Sequence, residues 1–369
     1  MTKAPIKILF AGGGTGGHLF SGIAVAERLR ESRPEAEILF VGTPFGLEKD
    51  IVPSAGFPLR TIEATPLKGS GLGARLRSLA RLPKAYRQSR KILREFRPDV
   101  VVGIGGYASG PMTLAAHFAK IPTAIIEQNS IPGFTNRKLA RFADRIFIAF
   151  AKAREFFDPR KTRLTGNPTR RFSAPEERSP GERFCLFVLG GSQGAHSLNE
   201  AMIAATPKLA ERSKRLHIVH QTGGQDEAEV AAAYRAAGLS AEVFSFSQHL
   251  SPYYAKADLM LCRAGAGTIT ELQNLGLPAI LVPYPFAADD HQRYNAEAMV
   301  VAGAAEMILN RDLQGARVAE RLAFYVDHPE ALEEMRRAAR GLAKPEAAQE
   351  VLAECLELIT RPVKTSQPQ

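Results

Sequence analysis

The sequence predicts an α/β protein built from two doubly wound parallel sheets. Three observations support this fold class. Apolar runs alternate with helical stretches along the whole chain, which is typical of parallel sheets covered by helices. A strand that ends in a glycine turn occurs near the start of each half, at residues 6–17 and 184–194. The length of 369 residues suits two domains better than one.

Short runs of β-branched and other apolar residues mark the expected strands. In the first half they are Ile6–Ala11, Ile38–Val41, Val100–Val102, Thr123–Ile126 and Arg145–Ile148. In the second half they are Phe184–Leu189, Leu216–Val219, Ala241–Phe244, Leu259–Leu261 and Ala279–Val282. Each half therefore has enough strands for a sheet of its own.

A polar, proline-rich stretch at residues 166–181 is the predicted domain boundary. We therefore expect an N-terminal domain at residues 1–167 and a C-terminal domain at residues 168–344. Residues 345–369 are predicted to form an amphipathic helix, from about Pro345 to Leu358, followed by a disordered tail.

The composition is that of a soluble globular protein, with 45% hydrophobic and 23% charged residues. No apolar run is long enough to span a membrane, and the first residues lead straight into a strand rather than a signal peptide. Cys185, Cys262 and Cys355 lie far apart in apolar stretches, so we expect buried thiols, no disulfide or metal, and a cytosolic location. The net charge of +10 indicates an anionic partner: nucleic acid, anionic lipid or a phosphorylated substrate.

The first glycine turn, Gly12-Gly13-Gly14-Thr15-Gly16-Gly17-His18, joins a strand to a helix N-terminus. Backbone N–H groups and the helix dipole make such a turn a site for phosphate. The spacing also fits a dinucleotide-binding fingerprint, but that reading needs an acidic residue at the end of the second strand. The segment 40–43 has none, and Glu48 lies beyond a turn, which argues against NAD chemistry. Tight packing alone could explain Gly12 and Gly13.

Two further glycine turns follow strands, at residues 103–111 and 262–271. Ligand sites of open α/β sheets lie at such strand ends. Glu271 is expected in the first turn of a helix, where its carboxylate could accept hydrogen bonds from a ribose diol. The simpler alternative is that Glu271 only complements the helix dipole.

The segment 67–97 is strongly cationic, with one acid, Glu95, among its basic residues. Its leucines recur at helical spacing, so the segment suits an anionic membrane surface. The residues expected to contact a membrane are Leu72, Arg75, Leu76, Arg77, Leu79, Arg81, Lys84 and Arg87. The alternative is that the leucines pack on their own domain and the arginines face solvent. No nucleic-acid-binding motif is present in the sequence.

Taken together, the motifs resemble those of the MurG family, which transfers GlcNAc from UDP-GlcNAc to a lipid-linked muramoyl-pentapeptide. The matching segments occur in the family's order over nearly the whole chain: Gly13–His18, Gly105–Pro111, Glu127–Asn129, Gly166–Arg170, Gly190–Ala195, His220–Gly223, Ala264–Glu271 and His291–Ala296. The resemblance implies the GT-B architecture: two Rossmann-like domains, a cleft between them, and a C-terminal helix that crosses back to the first domain.

The resemblance also implies site residues. Those for the donor UDP-GlcNAc are Thr15, Gly16, Gly17, Asn129, Arg170, Ser192, Gln193, Ser247, Ala266, Gly267, Thr268, Glu271, His291, Gln292 and Asn295. Those for the acceptor pyrophosphate are Gly14, Thr15, Gly16, Gly105, Gly106, Tyr107 and Ser109. The chain departs from the family at Ile126, where a His is common, and at Ser247, where an apolar residue is usual.

The implied reaction inverts the anomeric centre and needs a base for the acceptor C4 hydroxyl. We expect His18 to be that base, with Glu127 and Asn129 as the competing candidates. The sequence has no Asp-x-Asp motif of the kind that holds a metal ion. Amide dipoles at the glycine turn 190–194, together with Arg170, are therefore expected to replace a metal. No cofactor is required in this scheme, although a divalent cation could assist the acceptor pyrophosphate.

The expected location is the cytoplasmic face of the cell membrane, as a peripheral protein, with other cell-wall synthesis proteins as further partners. Two alternatives stay open at this point. One is a UDP-GlcNAc 2-epimerase of the same architecture. The other is a non-catalytic protein that binds a UDP-sugar and docks at the membrane.

Overall fold

The structure, a computed structural model, describes residues 4–65, 72–170, 183–191, 194–247 and 249–360, with the backbone alone for residues 72–80. The chain forms two compact units. The first comprises residues 1–170 and 345–369, and the second comprises residues 171–344. The division after residue 344 coincides with the one expected from the sequence, and the other lies three residues later than expected.

The first unit contains a parallel seven-stranded sheet in the order β3-β2-β1-β4-β5-β6-β7. Its strands are β1 Lys7–Gly12, β2 Glu37–Gly42, β3 Leu59–Thr61, β4 Val100–Gly105, β5 Thr123–Glu127, β6 Arg145–Ile148 and β7 Thr162–Leu164. Its helices are α1 Gly16–Ser32, α2 Glu48–Ser54, α3 Leu72–Phe96, α4 Ser109–Phe118 and α5 Phe134–Leu139, with a 3₁₀ helix at Ala151–Phe156.

The second unit contains a parallel six-stranded sheet in the order β10-β9-β8-β11-β12-β13. Its strands are β8 Phe184–Leu189, β9 Leu216–Gln221, β10 Ser240–Phe244, β11 Leu259–Cys262, β12 Ala279–Leu281 and β13 Ala305–Met307. Its helices are α6 His196–Ala210, α7 Glu227–Ala236, α8 Ser251–Lys256, α9 Ala266–Leu275, α10 His291–Val301, α11 Gly315–Asp327 and α12 Ala331–Gly341. Two 3₁₀ helices lie at Ala288–Asp290 and Asn310–Asp312.

Both faces of each sheet are covered, which explains the continuous apolar runs in the sequence. In β1, Ile8 and Phe10 belong to one buried cluster, whereas Leu9 and Ala11 belong to the cluster on the opposite face. The prediction of two Rossmann-like α/β sheets is therefore confirmed. The strands β3, β7 and β13 were not predicted, because each has only three residues and lies at or near a sheet edge with few apolar side chains.

The final helix, α13 Ala347–Thr360, packs on α1 of the first unit. Val351, Leu352 and Cys355 join the cluster that contains Ile23. A buried guanidinium strengthens this contact, since Arg145 of β6 pairs with Glu354 of α13 at 2.8 Å. The sequence-based expectation of a disordered tail concerns residues 362–369, which lie outside the described residues.

Among the helices that the structure describes, none has the length and apolar character needed to cross a membrane. All three cysteines are buried, as expected. Burial raises the pKa of the Cys355 thiol to about 12, which keeps it protonated and unreactive near neutral pH.

Candidate active site

Each sheet has a point where the strand order reverses direction, between β1 and β4 in the first unit and between β8 and β11 in the second. In open α/β sheets, ligands bind at the carboxyl ends of the strands at this point. All four glycine turns singled out in the sequence follow these four strands. The fold therefore brings them together as two pairs, one pair in each unit.

The turns after β1 and β4 are packed directly against each other. The Gly13 N–H donates to the Gly105 carbonyl oxygen at 3.1 Å. A Cβ atom added at Gly12 would lie 2.1 Å from the Gly105 oxygen, and one added at Gly106 would lie 2.1 Å from the Gly13 oxygen. Close packing therefore requires these glycines. The same constraint does not apply to Gly17, where an added Cβ would meet nothing within 4 Å, so packing leaves that glycine unexplained.

Glu48, which the sequence places too far beyond β2 to close a nucleotide site, lies beneath the first turn. Its Oε2 accepts the Gly14 N–H at 2.9 Å, and its Oε1 accepts the Thr43 N–H and hydroxyl, each at 2.7 Å. The residue is only 1% exposed, so it is inaccessible to a ribose. Its carboxylate joins the ends of β1 and β2, and it accepts the N–H of Gly14, one of the residues expected to contact the acceptor pyrophosphate.

His18 lies in the first turn of α1, half-buried against the turn after β4. Its ring is so close to Gly105 that a Cβ there would lie 2.8 Å from Cδ2. Nδ1 lies 3.3 Å from the Gly13 carbonyl oxygen and 3.1 Å from Thr15 Oγ1. Because a carbonyl can only accept, the contact with Gly13 favours the tautomer with the proton on Nδ1. In that tautomer Nε2 carries the lone pair.

Glu127 ends β5 and is 2% exposed. Its Oε1 accepts the backbone N–H of Asn129 at 2.9 Å and the Asn129 amide at 3.4 Å. Its Oε2 accepts the Gly133 N–H and the Asn136 amide, each at 3.0 Å. Burial raises the pKa of Glu127, and these four hydrogen bonds oppose that shift. The carboxylate thus organises the loop that carries the half-buried Asn129.

The remaining acceptor candidates divide by exposure. Tyr107 is exposed, and its ring lies near Gly14, within 4.0 Å of the position of an added Cβ. Thr15 is also exposed and is the N-cap residue of α1. Ser109, by contrast, is fully buried, with its hydroxyl facing Gly103 of β4. In this structure Ser109 is therefore a packing residue and is not presented to a ligand.

The turn after β8 leads into the 15-residue helix α6. Gly191 and Gly194 have positive φ angles of 87° and 76°, and a Cβ at Gly194 would lie 2.2 Å from the Thr222 carbonyl oxygen. The predicted donor residues Ser192 and Gln193 lie outside the described residues. The neighbouring helix N-terminus is of the kind that binds a diphosphate.

Gln221 connects this turn with Ser247, one of the predicted donor-binding residues. It is 1% exposed at the end of β9. Its amide Nε2 donates to the Gly191 carbonyl oxygen at 3.0 Å, and its Oε1 accepts the Ser247 N–H at 3.3 Å. The sequence alone predicts no individual role for the motif His220–Gly223. The Ser247 N–H is thus engaged within the protein in this structure.

The turn after β11 leads into α9, where Ala266, Gly267 and Thr268 form the first turn. Glu271 lies in the second turn rather than the first, as α9 begins at Ala266. Because the effect of the helix dipole falls off beyond the first turn, it explains the presence of Glu271 less well than the sequence indicated. Its Oε2 accepts the Tyr254 hydroxyl at 2.6 Å. Burial, with a smaller contribution from Glu271, raises the pKa of the Cys262 thiol to about 12.

Asn295 and Arg263 support this turn from within the unit. Asn295 was predicted to bind the donor, but it is fully buried and donates to the Ala264 carbonyl oxygen at 3.3 Å. It is therefore a positioning residue in this structure. Arg263, for which the sequence predicts no role, donates to Ser197 Oγ and Asn310 Oδ1, each at 2.9 Å. Burial lowers the pKa of its guanidinium.

The segment before α10 has an unusual backbone. Asp289 and Asp290 both lie in the left-handed region, with φ of 52° and 53°, which is costly for residues other than glycine. Two of the predicted donor-binding residues follow. His291 is half-buried, with Nδ1 2.8 Å from the Ala288 carbonyl oxygen, and Gln292 Oε1 accepts the Tyr284 N–H at 2.9 Å. Strain of this kind is typical of ligand-binding segments.

Arg170 lies over the ring of Phe20 of α1, with 5.5 Å between the guanidinium carbon and the ring centroid. It therefore lies beside the helix that carries His18. No group of three or more metal-ligating side chains occurs among the described residues.

The cationic segment is described only in part. The side chains of Leu72, Arg75, Leu76, Arg77 and Leu79 lie outside the described residues. In the rest of α3, Arg81, Lys84 and Arg87 are exposed, whereas Ala85 and Ile92 are buried. The side chains of Leu72, Leu76 and Leu79, on which the two interpretations differ, are not among those described, so the membrane contact stays a prediction.

Comparisons with known proteins agree with the motif pattern. The N-terminal domain model of glycosyltransferase family 28 matches residues 8–148, and the C-terminal domain model of that family matches residues 185–351. A UDP-N-acetylglucosamine–N-acetylmuramyl-(pentapeptide) pyrophosphoryl-undecaprenol N-acetylglucosamine transferase from Anaeromyxobacter sp. (strain Fw109-5) is 49% identical over 361 residues. The match covers 96% of this chain and 94% of that protein.

Solved structures support the same assignment. MurG from Acinetobacter baumannii superimposes with a TM-score of 0.78 at 30% identity, covering 96% of this chain and all of that one. A UDP-N-acetylglucosamine 2-epimerase reaches a TM-score of 0.69 at 14% identity, which shows a shared fold alone. The chain is a glycosyltransferase, and it belongs, as its motifs predicted, to the MurG family within glycosyltransferase family 28.

Proposed function

We propose that this chain transfers GlcNAc from UDP-GlcNAc to the C4 hydroxyl of N-acetylmuramoyl-pentapeptide carried on pyrophosphoryl-undecaprenol. The product would be the lipid-linked disaccharide, known as lipid II, that serves peptidoglycan synthesis. One observation carries the proposal: the 49% identity to a transferase of this activity extends over 96% of the chain. Both pairs of glycine turns lie within the segments that match glycosyltransferase family 28. The named relative acts on these two substrates, and the motifs that would bind them are present here.

The second unit would hold the donor. The turn after β8 and the N-terminus of α6 would receive the diphosphate, because backbone N–H groups and the helix dipole favour negative charge there. Glu271 would accept the ribose hydroxyls, and Ala266, Gly267 and Thr268 would line the nucleotide. His291 and Gln292 would contact the sugar. Asn295 and Gln221 would act indirectly, by holding these segments in place.

The first unit would hold the acceptor and the base. The exposed Thr15 and Tyr107, together with the amides at the start of α1, are suited to the acceptor pyrophosphate. His18 would remove the proton from the C4 hydroxyl through Nε2. Its support is the contact of Nδ1 with the Gly13 carbonyl, which favours the tautomer that a base at Nε2 needs. Glu127 would position Asn129 rather than transfer a proton itself, since both carboxylate oxygens hold the loop 127–136.

Expulsion of UDP needs positive charge where negative charge develops. We expect amide dipoles of the turn after β8 and the Arg170 guanidinium to supply this positive charge, without a metal ion in the chemical step. A divalent cation could still assist the acceptor pyrophosphate. The lipid carrier of the acceptor implies work at the cytoplasmic membrane surface, with the exposed basic residues of α3 facing anionic lipid. Other cell-wall synthesis proteins are further expected partners.

One assay separates this function from its alternatives. UDP release from UDP-GlcNAc is measured with and without a lipid-linked muramoyl-pentapeptide acceptor. A transferase releases UDP only when the acceptor is present. An epimerase converts the sugar nucleotide without the acceptor, and a non-catalytic binding protein releases no UDP in either mixture. Either of the last two results would overturn the proposal.

A further inference from the structure

The partner of Glu271 is a tyrosine buried in the core of the second unit. Tyr254, on α8, is fully buried, and its hydroxyl donates to Glu271 Oε2 at 2.6 Å. A distance this short is typical of a hydroxyl bound to an ionised carboxylate. The tyrosine ring packs edge-on against Phe187 of β8, with 5.5 Å between ring centroids. The donor of this hydrogen bond is therefore held by core packing.

The acceptor of this hydrogen bond lies nearer the surface. Glu271 is half-buried in the second turn of α9, which follows directly from the carboxyl end of β11. Its negative charge contributes to the raised pKa of the Cys262 thiol, the last residue of that strand. The carboxylate therefore lies at the point where the strand order reverses, which is where sheets of this kind bind nucleotides.

Such a contact holds the flexible glutamate side chain in place before a ligand binds. A glutamate side chain has several rotatable bonds, and ordering them when a ligand binds reduces affinity. We propose that Tyr254 is a positioning residue that fixes the Glu271 carboxylate in the orientation that accepts a vicinal diol, such as the 2′- and 3′-hydroxyls of a ribose. This inference rests on the proposed role of Glu271 in donor binding.

The inference makes Tyr254 a determinant of ligand selectivity, which separates it from a tyrosine that only fills the core. Loss of its hydroxyl should weaken ligands that carry the diol and leave ligands without the diol unaffected. A purely structural tyrosine would affect both kinds of ligand alike.

The chain offers a matched control. Tyr234, on α7, is equally buried in the same unit, and its hydroxyl is hydrogen-bonded to a side chain, His220 Nδ1, at 2.8 Å. Tyr234→Phe and Tyr254→Phe therefore each remove one buried hydroxyl and keep the ring. Only the second removes a partner of Glu271.

The experiment measures the dissociation constants of UDP and of 2′,3′-dideoxyuridine diphosphate by calorimetry. It uses the full chain and the variants Tyr254→Phe, Tyr234→Phe, Glu271→Gln and Tyr254→Phe/Glu271→Gln. We expect Tyr254→Phe to weaken UDP roughly tenfold and to leave the dideoxy ligand unchanged. Tyr234→Phe should keep the selectivity of the wild type. The double variant should bind UDP no more weakly than Glu271→Gln, because Tyr254 acts through Glu271.

The outcomes distinguish a wrong role for Tyr254 from a wrong assignment of Glu271 to the ribose. If Glu271→Gln lowers the preference for UDP but Tyr254→Phe does not, the inference about Tyr254 is wrong and the donor site stands. Equal weakening of both ligands in Tyr254→Phe also overturns it. If Glu271→Gln leaves the preference unchanged, the assignment of Glu271 to the ribose is wrong, and the inference fails with it. Thermal unfolding of each variant checks that all are folded before binding is compared.

Discussion

Glu48 Oε2 accepts the backbone N–H of Gly14 at 2.9 Å, although the two residues are 34 positions apart in the chain. A buried carboxylate thus lies beneath a turn that is expected to face a pyrophosphate. Its other oxygen holds Thr43 at the end of β2. Glu48 therefore fixes the shape of the first glycine turn, whose Gly13 carbonyl in turn contacts the His18 ring.

Removal of this carboxylate should destabilise the protein. In Glu48→Ala the Gly14 and Thr43 N–H groups lose their acceptor, and buried donors without partners are costly. We expect the free energy of unfolding, measured by urea denaturation, to fall by roughly 2–4 kcal/mol. Glu37→Ala, which removes the partly exposed ion pair with Lys7, is the control and should cost less than about 1 kcal/mol. Equal effects of the two changes would show that Glu48 does not support the turn.

The base assignment predicts a specific kinetic defect. His18→Ala should lower kcat by roughly 10²–10⁴-fold, because a positioned base contributes about that much to proton transfer. The KM for UDP-GlcNAc should change little, since His18 is assigned to the acceptor hydroxyl. Steady-state kinetics with His328→Ala, an exposed histidine on the second unit, provide the control. Near-normal turnover of His18→Ala would move the base role to another residue.

Donor binding should not depend on a divalent metal ion. The predicted diphosphate site consists of a glycine turn and a helix N-terminus, whose dipole supplies positive charge by itself. UDP affinity, measured by calorimetry, should therefore be unchanged after dialysis against a chelator. A collapse of affinity in chelator that magnesium restores would show that a metal ion holds the diphosphate.

Buried His220 should make stability sensitive to pH. Burial lowers the pKa of His220 to about 3, from 6.5 in an unfolded chain. Between these values the unfolded chain binds a proton that the folded chain does not, so stability rises with pH and falls as the solution is acidified. Well below pH 6.5, the contribution of His220 to stability changes by about 1.4 kcal/mol per pH unit. The slope is smaller near pH 6.5, so the change between roughly pH 7 and pH 5.5 is about 1 kcal/mol.

The variant His220→Gln tests this contribution. Urea denaturation at both pH values should show a smaller loss of stability on acidification in the variant than in the wild type. The comparison of slopes removes the effect of other titrating groups and of the altered contacts with Tyr234 and Asn199. Identical slopes would mean that His220 does not stay neutral in the folded protein.

The exposed basic face of α3 should bind anionic vesicles. Each Lys or Arg near an anionic surface contributes roughly 1 kcal/mol, and salt screens this attraction. Charge reversal of Arg81, Lys84 and Arg87 to glutamate should abolish vesicle co-sedimentation at low ionic strength. The control reverses three exposed basic residues of the second unit: Lys214, Arg235 and Arg311. Unchanged binding after reversal on α3 would move the membrane contact elsewhere.

The long central strands were predictable because they are buried on both faces, as Ile8 and Leu9 illustrate. The edge strand β3 was not, as its segment Leu59–Thr61 carries a single apolar side chain. The glycine turns were found by their spacing, but spacing does not reveal burial. Ser109 and Asn295 were therefore assigned to ligands, although the structure buries both.

The supporting residues of the site could not be predicted in the same way. Glu48, Gln221 and Tyr254 act through side-chain hydrogen bonds to segments that are distant in sequence. No local pattern marks such contacts, since they arise only when the sheet brings the strand ends together. Buried polar residues at the end of a strand, such as Gln221, are the one signal that could have indicated them.

The central claim is that this chain joins GlcNAc to a lipid-linked acceptor with inversion of configuration. The most direct measurement follows isotope-labelled GlcNAc from UDP-GlcNAc into the lipid-extractable fraction and determines the new linkage by NMR. We predict labelled disaccharide with a β-1,4 linkage. Label that stays in the nucleotide pool, or a product with an α linkage, would contradict it.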